Sequence, residues 1–152
     1  MSRNEPFVYQ GALIFQESSP SSFQSMNAMT IYCAGILFNT AILHHQEAIR
    51  TGQSAPLERA AQLYEATLHI VGKLRLESNS TIALIAVAAT NNMAQIELAK
   101  GMLLQGSKRL QVLKSLIHQL HHIVAEMFTQ DEFHNLLSNT LSASGIVASA
   151  AA

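Results

Sequence analysis

The chain has 152 residues, 49% of them hydrophobic and only 12% charged, which is apolar mass for one core of ordinary size and about half the usual charge. Nine Lys and Arg against ten Asp and Glu leave a formal charge of −1, so no global field draws the chain to nucleic acid or to an anionic membrane. A single cysteine, Cys33, excludes an intramolecular disulfide.

In chain order, residues 1–25 stand apart from the rest. Phe7 to Phe15 is aromatic and β-branched, which predicts a short extended segment docked on the remainder. Ser18 to Ser22 reads as a Ser/Pro loop, and Ser19-Pro20 within it as a possible proline-directed phosphorylation site. A helical domain then occupies 26–141, with helices expected at about 27–50, 57–74, 81–104, 108–129 and 132–141. Gly52 should end the first helix, and Ser54 with Pro56 should open the second.

Leu57, Ala60, Ala61, Tyr64, Leu68 and Val71 form one stripe at helical spacing along the second helix. Ser78-Asn79-Ser80 supplies N-cap residues for the third. The longest apolar run, Ile82 to Ala89, lies in that third helix and is far short of the ~20 residues of a membrane span. Gln105-Gly106-Ser107 reads as the next turn. Leu110, Leu113, Ile117, Leu120, Val124 and Met127 make a seam along the fourth helix. The small-residue stretch 142–152 should fray.

The helices repeat one another weakly. Asn39-Thr40-Ala41 corresponds to Asn92-Met93-Ala94, with Gly52 and Gly106 following each, then Arg59 and Arg109. Asn92-Met93-Ala94-Gln95-Ile96, and the pairing of Ala60 with Tyr64 four residues on, resemble the tetratricopeptide-repeat family across residues 26–128. The second unit departs from that pattern, with Leu110 and Lys114 where a small residue and an aromatic are usual.

The resemblance implies antiparallel helical hairpins stacked as a short solenoid or bundle, with the first helix of each hairpin lining a concave surface that takes an extended peptide. Asn39, His44, Asn91, Asn92 and Gln95 are then the partner-binding candidates. Side-chain amides there would read peptide backbone, or else only satisfy backbone within a crowded helix.

Catalytic motifs are weak. Gly101 to Lys108 approaches a phosphate-binding loop, but Ser107 separates the second glycine from the lysine. Cys33 lies in an apolar helix segment, where thiols are commonly inert. Glu47, Glu65 and Glu97 read as surface positions. His118, His122 and Glu126 share one helix face at metal-ligand spacing, the residues of an alternative metal- or small-ligand-binding bundle. That face lies away from the apolar seam, so a solvated surface is the plainer reading.

The sequence therefore predicts a non-catalytic protein–protein interaction or scaffold module with no cofactor. Its expected partners are a protein or peptide segment, or a second copy in a homodimer, with neither nucleic acid nor membrane. The lone cysteine and the lack of a recognisable signal peptide predict an intracellular, cytoplasmic setting.

Overall fold

The first helix ends where the sequence offers a left-handed residue: Gly52 takes φ 69°, and its N–H bonds to Ala48 O at 2.8 Å. A side chain at that φ would be strained, which is why glycine closes the helix. The structure, a computed structural model, describes residues 7–14 and 26–150. Its helices are α1 (Met26–Thr51), α2 (Ser54–Val71), α3 (Ser80–Ala99), α4 (Leu103–Gln119), α5 (His121–Met127) and α6 (Gln130–Ala150). One 3₁₀ turn, Leu76–Ser78, precedes α3, and no strand occurs among the described residues. α1 packs chiefly on α2 and α3 chiefly on α4, while α2 joins α3 and α4 joins α6. The fold is all-α, built of helical hairpins packed side by side.

α3 is the central element. Every residue from Ile82 to Asn92 is buried, as expected of a helix covered by neighbours on all sides. By length and apolarity Ser80–Ala99 passes for a membrane span, yet 83% of its apolar window lies buried inside the protein. Asn79 starts it, its Oδ1 accepting from the N–H groups of Thr81 and Ile82 at 2.9 and 3.2 Å. The predicted α2 stripe places Ala60, Tyr64 and Val71 in the core, and the later seam buries Leu110, Leu113, Ile117, Leu120 and Val124.

Four details of the helix boundaries and turns differ from the sequence expectation. The turn between α3 and α4 is made at Gly101, φ 75°, with Met102 N–H bonded to Glu97 O at 2.9 Å, not at Gln105-Gly106-Ser107. Gly106 is instead a buried residue of α4, and a Cβ built there would lie 2.7 Å from Leu98 and 3.3 Å from Ala94 O. Its missing side chain lets α4 approach α3. The seam helix breaks at Leu120 into α4 and α5. The last helix runs on to Ala150 rather than fraying from Ser142, because alanine has the highest intrinsic helix propensity and serine is tolerated.

Glu97 is buried rather than superficial. Its carboxylate accepts from Arg109 Nε at 2.9 and 3.0 Å, which ties α3 to α4, and Arg109 reaches on to Glu65 of α2 at 3.3 Å. Cys33, expected in the core, is exposed. It lies on the same side of α1 as an exposed apolar row at seven-residue steps, Met29, Ile36 and Leu43.

Candidate functional site

The extended segment Phe7–Ile14 is docked on the helices. It lies across α1, α3 and α6, and its backbone is held by asparagines. Asn92 Oδ1 accepts from Tyr9 N–H, and Asn92 Nδ2 donates to Tyr9 O, both at 2.8 Å. Asn39 repeats the arrangement on Leu13, accepting from its N–H and donating to its carbonyl, both at 2.9 Å. At Phe7 the carbonyl accepts from Asn91 Nδ2 at 3.0 Å and Asn139 Nδ2 at 2.8 Å, while the N–H donates to Asn139 Oδ1 at 3.3 Å. In an extended chain one residue's N–H and C=O point to the same side, as a strand presents them to a ladder partner. A carboxamide carries one acceptor and one donor group at matching separation. Asn92, Asn39 and Asn139 thus each stand in for a neighbouring strand, while Asn91 adds a single donor.

The asparagines are connected to each other and to the core. Asn139 Nδ2 donates to Asn91 Oδ1 at 2.7 Å, Asn91 Nδ2 to Asn92 Oδ1 at 3.2 Å, and Asn92 Nδ2 to Tyr64 Oη at 2.9 Å. Tyr64 Oη in turn lies 3.5 Å from His45 Nδ1. With its oxygen accepting from Asn92, the phenol has its proton left to donate towards that nitrogen. Burial raises the Tyr64 phenol above its ordinary value, opposed by the Asn92 bond, and burial lowers His45 to about 4. Both groups are therefore neutral near pH 7.

Side chains of the segment alternate as an extended chain requires. Tyr9 is buried, Phe7 and Leu13 are half-buried against the core, and Gln10, Ala12 and Ile14 face out. The Tyr9 ring stacks on Phe38 of α1 with centroids 6.2 Å apart and meets Phe128 edge-on at 5.4 Å. Burial, with the Glu132 charge behind it, raises the Tyr9 phenol. Gly11 folds close beneath this ring: a Cβ there would stand 2.5 Å from the Tyr9 hydroxyl. A larger residue at 11 must therefore displace the Tyr9 ring from its seat.

Of the partner-binding candidates, the structure brings Asn39, Asn91 and Asn92 together on the segment. Among the described residues His44 and Gln95 make no hydrogen bond to it; His44 is half-buried and Gln95 buried. His45, about 100° further round α1 than His44, is the histidine that joins the network. Asn139 was missed by the sequence reading. Its signal is Asn139-Thr140, a copy of Asn39-Thr40, which lies in α6, beyond the repeated units at 26–128. Of the expected docking residues, Phe7, Val8 and Leu13 are half-buried, whereas Phe15 and the Ser19-Pro20 loop lie outside the described residues.

The alternative metal face is not assembled. His118 belongs to α4, whereas His122 and Glu126 belong to α5 beyond the break at Leu120, so they do not share one continuous helix. All three are exposed, and among the described residues no group of three potential ligands stands close enough to hold a metal ion. A cavity of about 500 Å³ lies apart from the asparagines, between α2, α3 and α4, lined by residues including Leu68, Val71, Ala86, Val112 and Leu116. No family model, curated protein or solved structure matches the chain.

Proposed function

We propose that this protein is a non-catalytic interaction module of the helical-repeat type, similar to tetratricopeptide repeats, whose groove across α1, α3 and α6 binds extended polypeptide. The observation that carries the reading is the set of three two-point clamps, Asn92 on Tyr9, Asn39 on Leu13 and Asn139 on Phe7. Such clamps grip any residue's backbone except that of proline, so they supply affinity without dictating sequence, while adjacent side-chain pockets supply choice. In the structure the chain's own residues 7–14 fill the groove.

The test uses the full-length chain with Gly11→Val, which loosens the segment without removing a core side chain. Random-peptide display on this immobilised protein should recover binders that lose at least tenfold in affinity when Asn39→Ala and Asn92→Ala are added, with helicity checked by circular dichroism. Binders indifferent to both asparagines, in protein that stays folded, would sink the reading.

A further inference from the structure

We infer that residues 7–14 are a built-in competitor that copies the groove's true ligand, an extended segment of another protein with an aromatic, then tyrosine, glycine and an apolar residue at alternate positions. This inference rests on the peptide-binding reading. It adds which peptides are taken and what they must displace.

The pattern follows from the contacts. Tyr9 fills a slot between Phe38 and Phe128, and Phe7 and Leu13 press on the core to either side. Between Tyr9 and Leu13 a residue without Cβ leaves the tyrosine hydroxyl where it is, whereas any Cβ would have to push it aside. The intervening side chains of Gln10 and Ala12 are exposed, so those positions are free to vary. A ligand is thus read as aromatic-x-Tyr-x-Gly-x-apolar, with the asparagines fixing its frame.

The competition follows from the tether. Only residues 15–25 separate Ile14 from the start of α1 at Met26, and tethering within one chain over so short a span presents a segment at an effective concentration on the order of millimolar. A second copy of this chain offers the identical segment at far lower concentration, so it cannot displace the tethered one. A foreign segment with better contacts can. That argument selects another protein, rather than self-exchange, as the occupant.

The probe is a labelled synthetic peptide of residues 7–14, titrated by fluorescence anisotropy into full-length protein, wild type and Gly11→Val. The Gly11→Val chain should bind the probe at least tenfold more tightly than wild type does. On that opened chain, probes carrying Tyr9→Ala or Gly11→Val should bind at least tenfold more weakly than the parent probe. If all three probes bind the opened chain equally, the pattern is wrong while peptide binding stands. If wild type and opened chain bind the probe equally, the segment is no competitor. Absence of binding by an opened chain that retains its helicity removes the peptide-binding reading itself. An opened chain that instead dimerises by mutual exchange of segments would make a second copy the occupant and overturn the inference. If Gly11→Val fails to fold, Leu13→Ala is the opening variant, with the same outcomes.

Discussion

Asn92 and the groups behind it show how a buried polar residue is tolerated in a helix as apolar as α3. Its carboxamide bonds both backbone groups of Tyr9, and also Asn91 and Tyr64, so the desolvation of each polar atom is offset by a partner. The arrangement extends to His45, which sits 4% exposed at the end of the chain of bonds and is held down to about 4 by burial. A histidine with a folded pKa below its ordinary value near 6.5 binds more protons when unfolded. Its neutral burial is therefore fully tolerated above about pH 6.5, and stability declines as pH falls through the window down to about 4, below which this contribution levels off. Across the whole window the loss amounts to about 3 kcal/mol, at most about 1.4 kcal/mol per pH unit. Urea midpoints of wild type and His45→Gln, compared from pH 7 to pH 5, should converge as pH falls. Parallel curves would show that His45 titrates normally.

At the scale of elements, two glycines do opposite work and only one was legible. Gly52 ends a helix at positive φ, as its place after a long apolar run foretold. Gly106 likewise follows a long helical pattern, yet it lies inside α4 because Gly101, five residues earlier, has already made the turn. Two competing glycines in six residues cannot be ranked from local pattern, since what separates them is the distance between α3 and α4. Gly106→Ala weighs propensity against packing. Alanine is better in a helix by about 1 kcal/mol, but its methyl would press on Leu98 at 2.7 Å and on the Ala94 carbonyl at 3.3 Å. Overpacking of this kind costs about 1–3 kcal/mol, so the variant should lower the denaturant midpoint. A raised midpoint would mean that α4 shifts freely. The groove was legible in part for a similar reason. Asn39 and Asn92 stood out because each precedes a short-residue step in matching helices, whereas Asn139 lies in α6, an expected helix outside the repeated units at 26–128, so nothing in the repeat pairs it with them. That the N-terminal segment docks was legible from its aromatic and β-branched residues, but that it fills this groove was not, because backbone pairing leaves no mark on the segment's own side chains.

For the whole molecule, the N-terminal segment decides which surfaces face water. Two apolar areas compete for that description: the outer row of α1, exposed among the described residues, and the groove floor, covered by Phe7–Ile14. The floor holds more hazard, because removing the segment would uncover the aromatic faces of Phe38 and Phe128 and leave the carboxamides of Asn39, Asn92 and Asn139 without their backbone partners. An apolar surface studded with unpaired strand-like donors and acceptors invites pairing with any extended chain. Deletion of residues 1–14 should therefore cause concentration-dependent association, seen by light scattering, under conditions where full-length protein scatters less. The route of association separates the two areas. If it runs through the groove, adding the residue 7–14 peptide in excess restores the smaller species, and Ile36→Glu with Leu43→Glu on the outer row of α1 leaves the association in place. If instead the two α1 substitutions abolish it and the peptide does nothing, the row on α1 is the adhesive surface and the segment covers little. A truncated protein that scatters like full-length would mean that the groove is stable when empty and that its occupant is dispensable to the fold.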